Sequence, residues 1–387
     1  MKHNILALLI AATAIITPKA FAADSYVQYG PWIHNIGENS CEILWVSEKP
    51  TLGFVEVKEN DGATWYSEEK PRFWQTEYGR RYVGRYHCVK VSGLKPGTPY
   101  QYKISQQLLE DADHPNAWNF GKMKASKNPY DFKTLDSKAD SCKFSMVNDI
   151  HYDKAKFKGL TKNVGEIDFM VLNGDITSNA RNLDTLLDYT FSPISKITSK
   201  YPVIYARGNH EGRGEDWFRV PYAFPTPTGE FYYTFRQGPA AFVVLDAGED
   251  KPDSDVEYAG TAAYDEYREK ELEWLKDAVK NPEFKSAPVK ICIIHIPTLV
   301  GNQCWYTQRW ISDNFMPVLE KAGIDLMLSG HHHKFAWYPE NSFGNDYPIY
   351  VNSKDERLDV TVVKGGIELR AYDEGGNETH NYSIRKK

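Results

Sequence analysis

Leu326-Met327-Leu328-Ser329-Gly330-His331-His332-His333 runs from three apolar residues through a Ser-Gly pair into three successive imidazoles. A short apolar run bounded by glycine reads as a buried strand. Ligands collect at the carboxyl ends of strands in α/β sheets, so the histidines stand where chemistry is expected. The design recurs upstream: Lys143 to Val147 leads into Asp149-Ile150-His151, Phe169 to Leu172 into Gly174-Asp175, Val203 to Tyr205 into Gly208-Asn209-His210-Glu211, and Val289 to Ile294 into His295. A sixth run, Phe242 to Leu245, reads as a strand without such a group. One histidine after a strand is more often structural, but six of the eleven histidines fall in these five motifs. Amphipathic segments separate the strands, clearest at Tyr264 to Val279 and Gln308 to Ala322, so residues 142–387 are expected to form an α/β domain.

Upstream the pattern changes. Glu42 to Val46, Phe54 to Val57, Tyr86 to Val91 and Tyr100 to Ile104 are short strand-like runs parted by turn residues, which predicts a β-sandwich over 25–135. Polar residues Asp136 to Ser141 then serve as a linker. Leu94-Lys95-Pro96-Gly97-Thr98-Pro99-Tyr100 resembles the tyrosine corner of fibronectin type III domains, and Trp45 takes an inward position.

The amino terminus carries Lys2, an apolar run from Ile5 to Ile16 and Ala20-Phe21-Ala22, the pattern of a secretory signal peptide over residues 1–22. As a membrane anchor the run would reach only about 18 Å, short of a bilayer core. Export to the periplasm or the exterior is expected, with a mature chain from near Ala23 and no membrane association. With 387 residues, 41% of them hydrophobic, the chain can bury the cores of two domains. A net charge of -6 offers no basic excess, so stable nucleic-acid binding is not expected. Cys41, Cys88, Cys142, Cys292 and Cys304 are widely spaced. Strand alternation turns Cys41 and Cys88 to different faces, so isolated thiols are expected.

In order and type, Asp149-x-His151, Gly174-Asp175, Gly208-Asn209-His210-Glu211, the lone His295 and Gly330-His331-x-His333 resemble the calcineurin-like metallophosphoesterase superfamily over residues 143 to about 371. With the sandwich ahead, and Tyr86-His87 leading into Leu94 to Tyr100, the chain is similar to the two-domain purple acid phosphatases. The resemblance implies two packed β-sheets flanked by helices, an α/β/β/α sandwich. It also implies two metal ions, one on Asp149, His151, Asp175 and His333, the other on Asp175, Asn209, His295 and His331, with Asp175 shared. The Gly-His-x-His pattern leaves out His332, consistent with alternate residues of an extended segment facing one side. By the same resemblance His210 contacts the phosphoryl group or protonates the leaving oxygen, and Glu211 could orient it.

Two departures bear on the metals. The purple acid phosphatases have Asp-x-Gly where this chain has Asp149-Ile150-His151, and a metal-binding tyrosine where it has Ser178. The tyrosine behind their ferric colour is missing, so two divalent ions are expected, with Mn, Fe(II) and Zn all suited to these donors. Two such ions, two aspartates and a bridging hydroxide leave a net charge of about +1 facing an anionic ester.

The resemblance thus implies a small-molecule phosphate ester as substrate, a monoester hydrolysed by attack of a metal-bridging hydroxide. A phosphodiesterase or nucleotidase using the same centre is the alternative, since Trp305, Tyr306, Trp310 and Trp337 could stack on a base or belong to the core. A non-catalytic adhesion or binding protein is disfavoured by the complete ligand set.

Overall fold

The computed structural model describes residues 25–113, 117–301 and 304–386. The signal peptide expected over residues 1–22 lies outside the described residues.

Apolar residues alternate along the N-terminal strands and build two facing layers. Ser40–Glu59 is a single long strand, where the sequence suggested two, Glu42 to Val46 and Phe54 to Val57. Its first half pairs with Val27–His34 and Val83–Ser92, and its second half with Arg72–Trp74 and Pro99–Asp111. An irregularity between Val46 and Thr51 lets the strand pass from one layer to the other without ending. Ile33, Ile43, Trp45 and Val89 of one layer share a buried cluster with Val55, Tyr102 and Ile104 of the other. Trp45 is fully buried, and its Nε1–H donates to Gln106 Oε1 at 2.9 Å. The tyrosine corner closes through the Lys95 N–H, which donates to the Tyr100 hydroxyl oxygen at 2.9 Å. Cys41 pairs in register with Val91, and Cys88 with Leu44; the two thiols join different clusters, and all five cysteines are free.

Two six-stranded sheets follow. The first runs in the order Val203–Ala206, Phe169–Asn173, Ser141–Val147, Arg357–Val363, Gly366–Tyr372 and Glu378–Arg385. The second runs Tyr233–Gln237, Ala240–Leu245, Val289–Ile294, Leu326–Ser329, Ile349–Val351 and Ala336–Tyr338. The strands nearest the site are parallel within each sheet. Phe144, Phe169, Phe242 and Ile291 fill the space between the sheets, and the alternate residues Met170, Leu172, Val243 and Leu245 face the helices. Both faces are covered, which is why these strands read as continuous apolar runs. Helices Lys154–Thr161 and Leu183–Thr198 pack on the first sheet; Tyr264–Ala278, Tyr306–Asn314 and Met316–Ala322 pack on the second.

The last two were expected as one helix from Gln308 to Ala322. Pro317 lacks the N–H an unbroken helix needs, and the chain restarts at Phe315. The N-terminal layers are anchored to this core by Trp32, which stacks on Phe191 at 4.3 Å and donates from Nε1 to the Ala223 carbonyl at 2.9 Å.

Candidate metal centre

Every expected site residue follows the carboxyl end of a parallel strand, and the two sheets bring those ends together. Asp149 and His151 follow Ser141–Val147, Asp175 follows Phe169–Asn173, and Asn209 and His210 follow Val203–Ala206. His295 follows Val289–Ile294, and His331 to His333 follow Leu326–Ser329. The turns are tight: Asp149, His151, Asp175, His331 and His333 all have φ between 49° and 69°. Left-handed conformations cost non-glycine residues of order 1–3 kcal/mol each and persist where the surroundings impose them. Here the Asp149 N–H donates to Gly174 O and the His151 N–H to Asp175 O, both at 3.0 Å. Gly174 and Gly208 permit the crowding, because a Cβ on the first would lie 2.5 Å from His295 Nδ1 and on the second 2.2 Å from Asp175 Oδ1.

Donor atoms converge in three overlapping groups: Asp149, His151 and His333; His151, Asp175 and His210; Asp175, His295 and His331. Within each group the ligand atoms lie within 4.8 Å of one another. His151 Nε2 is 3.1 Å from His333 Nε2, and Asp149 Oδ1 is 3.3 Å from His333 Nε2. His295 Nε2 is 3.1 Å from Asp175 Oδ2, and His331 Nδ1 is 3.2 Å from Asn209 Oδ1. Asp149 Oδ1 and His295 Nε2 are buried yet have no hydrogen-bond partner among the described residues. Buried polar atoms without partners are costly unless a ligand satisfies them, and these two are carboxylate and imidazole donors facing one cluster. The donor set therefore fits metal ions.

Other contacts aim the donors. His295 Nδ1–H donates to the Asn173 carbonyl at 2.7 Å, which turns Nε2 toward Asp175. Asp149 Oδ2 accepts from Asn148 Nδ2 at 2.6 Å and from the His331 N–H at 2.9 Å, leaving Oδ1 for the cluster. Asn352 donates from Nδ2 to Asn148 Oδ1 at 2.7 Å. Glu211 is not the partner of His210 that the sequence suggested. Its buried carboxylate accepts from the N–H groups of Asp175, Gly208 and Thr177 at 2.9–3.0 Å, tying two ligand loops together. His210 instead donates from Nδ1 to the Ser178 carbonyl at 2.9 Å and accepts at Nε2 from Arg213 Nη1 at 3.2 Å.

Electrostatics match this use. Burial pushes His151 down to about 4 and His331 to about 3, so both rings are neutral near pH 7 with lone pairs available. Burial also opposes charge on His295, but Asp175 and Asp149 outweigh it and raise the ring to about 10. For Asp175 burial works upward, and the His295 ring overcomes it to hold the carboxyl well below its usual range.

A cavity of about 630 Å³ opens over the cluster, lined by Asp175, Asn209, His210, His331 and His333 and also by Arg213, Asp250 and Trp305. His332 borders it but is turned away from the cluster, its Nε2 accepting from Gln308 Nε2 at 2.9 Å. Trp305 is 48% exposed, whereas Trp310 and Trp337 pack against hydrophobic clusters. Sequence reading missed Asp250, Arg213, Asn148 and Asn352. Asp250 lies 3.2 Å from His331 Nε2, and burial raises its carboxyl to about 6. Its signal was the one strand left without a motif: Ala240–Leu245 leads to Asp250.

Residues 143–335 match the family model described as Calcineurin-like phosphoesterase. The chain is 22% identical over 294 residues to "Probable purple acid phosphatase 20" of Arabidopsis thaliana, covering 70% of this chain and 60% of that protein. Among solved structures it resembles a purple acid phosphatase, PPD1, from yellow lupin (Lupinus luteus), with a TM-score of 0.69 at 14% identity, covering 93% of this chain and 75% of the other. It also resembles PhoD, with a TM-score of 0.62 at 13% identity, covering 95% and 92%. The chain spans only three fifths of the plant relative's length. At these identities the solved structures establish the fold. Among the described residues no helix is long and apolar enough to cross a membrane.

Proposed function

This chain carries a calcineurin-like phosphoesterase domain at residues 143–335 and is a relative of the purple acid phosphatases, and on that ground we propose that it is an exported phosphomonoesterase with two divalent metal ions. The observation that carries the reading is the convergence of Asp149, His151, Asp175, His295, His331 and His333, with two buried donor atoms that have no hydrogen-bond partner among the described residues. One ion would be held by Asp149, His151, Asp175 and His333, the other by Asp175, Asn209, His295 and His331. Divalent ions held by these residues would supply an activated water and offset the charge of a phosphoryl group.

The chain's own residues do the rest. Asp175, almost wholly buried, is the carboxylate common to both sets. His295 and His331 hold their rings by contacts made through the second nitrogen. His210 borders the cavity beside Asn209 without belonging to the proposed ligand set, so it can meet the phosphoryl group or the leaving oxygen. The export signal over residues 1–22 and the division into a sandwich at 25–135 and a catalytic domain at 142–387 are parts of the same proposal.

A second reading, a diesterase or nucleotidase, draws support from Trp305, whose half-exposed ring lines the cavity and could stack on a base. A panel of monoesters, diesters and nucleotides, run on the mature protein with metal content measured in parallel, tests the proposal. Monoesters should be hydrolysed fastest, with activity following bound metal. Faster turnover of diesters would overturn the monoesterase assignment, and turnover independent of metal would overturn the centre.

A further inference from the structure

Arg213 lies on the cavity wall with Asp175, Asn209 and His210, and its guanidinium is fixed in orientation. Nε donates to Glu249 Oε1 at 2.6 Å and Nη2 to Glu249 Oε2 at 2.7 Å. Glu249 is only 2% exposed, so the two-point pair is anchored in the protein interior. The backbone is held as well, the Arg213 carbonyl accepting from the Ala180 N–H at 2.6 Å. The remaining terminal nitrogen, Nη1, donates to His210 Nε2 at 3.2 Å. The Ser178 carbonyl can only accept, so the proton of the His210 ring sits on Nδ1, and Nε2 meets the guanidinium as a neutral acceptor.

We propose that Arg213 is a substrate-contacting residue that selects phosphate monoesters, its Nη1 exchanging the His210 ring for a non-bridging phosphoryl oxygen. A monoester has three such oxygens and a diester two. Oxygens turned toward the ligand cluster would be met by the proposed metal centre, and the third oxygen of a monoester would need a donor from the wall. Arg213 Nη1 is a cationic donor already aimed from that wall, and exchanging a neutral nitrogen for an anionic oxygen strengthens its hydrogen bond. No reorganisation of the guanidinium is required, because Glu249 holds it beforehand. In a diester the corresponding oxygen bears a second substituent, which cannot accept in the same way and crowds the guanidinium. The inference deepens the phosphomonoesterase reading and rests on it for the choice of substrate.

The test uses the metal-loaded, full mature chain with Arg213→Met. Glu249 would be left buried and unpaired, so the double variant Arg213→Met/Glu249→Gln is measured beside it as a version that keeps the interior neutral. Three quantities are read: the inhibition constant of inorganic phosphate, kcat/KM for phenyl phosphate and for bis(p-nitrophenyl) phosphate, and bound metal. The expectation for the double variant is unchanged metal, a phosphate inhibition constant raised at least about tenfold, and a monoester kcat/KM lowered at least about tenfold more than the diester value. An inhibition constant within about twofold of wild type, or monoester and diester falling in parallel, overturns the proposal. Loss of metal from both variants also overturns it, because Arg213 would then be structural. Should the wild type hydrolyse diesters alone, the monoesterase reading fails by itself, while the phosphate inhibition constant still reports on Arg213.

Discussion

His210 has one ring nitrogen on the Ser178 carbonyl and the other facing Arg213, outside the proposed ligand set. Its replacement by alanine should leave metal content unchanged. As a general acid it would matter most for esters with poor leaving groups, where removing such a group costs about 10² to 10⁴ in rate, and less for activated aryl esters. Equal losses on both ester types point instead to phosphate positioning, and full activity on the poor-leaving-group ester removes His210 from the mechanism. Ser178 has no phenol, and the nearby Tyr152 donates its hydroxyl to the Asn179 carbonyl while burial raises its pKa to about 12. The protein should therefore be colourless even after iron loading; a strong visible band that grows with iron would contradict this. The imidazoles and carboxylates of the centre were legible because their types and their places after apolar runs are chemically unusual together. Arg213, Asp250 and Asn148 were not, because Arg, Asp and Asn are common after strands and only the fold shows what they touch.

Strands in the α/β region were legible as runs because both faces are buried, while helix breaks and strand continuity depended on details of single residues. Pro317 divides a segment whose apolar spacing reads as one helix, and the irregularity between Val46 and Thr51 joins two runs into one strand. Contacts between regions left no sequence signal at all. The N-terminal strand Val27–His34 lies against helix Leu183–Thr198 through Trp32, 1% exposed and stacked on Phe191, while the Tyr102 hydroxyl donates to the Ser199 carbonyl at 2.8 Å. Trp32→Ala removes a buried ring and leaves the Ala223 carbonyl without its donor. It should cost about 3–5 kcal/mol in urea unfolding; a loss below about 1 kcal/mol would show that the two regions do not depend on this contact.

For the molecule as a whole, pH tests burial in the N-terminal layers, far from the chemistry in sequence. Burial lowers His34 to about 3 and His87 to about 4, from an ordinary value of 6.5. Below pH 6.5 the unfolded chain takes up protons that the folded chain refuses. The stabilisation is therefore complete above that pH and drains away as pH falls toward the folded values, by up to roughly 1.4 kcal/mol per pH unit for each histidine. In chelator-treated protein, His34→Leu should flatten the dependence of unfolding free energy on pH between 6.5 and 4.5 by about one proton; an unchanged slope would contradict the burial. The place of the site at the strand ends was readable from sequence, because polar donor residues follow successive apolar runs; the packing of two sheets was implied only by the resemblance to the metallophosphoesterases. The metal centre is tested most directly by metal content alongside phosphate-ester hydrolysis in the wild type and in Asp175→Asn, the residue whose carboxylate stands in two of the three donor groups. About two divalent ions per wild-type chain are predicted, with Asp175→Asn weakening both sites and hydrolysis falling at least roughly a hundredfold. An Asp175→Asn protein that keeps two tightly bound ions and full activity would rule out this centre.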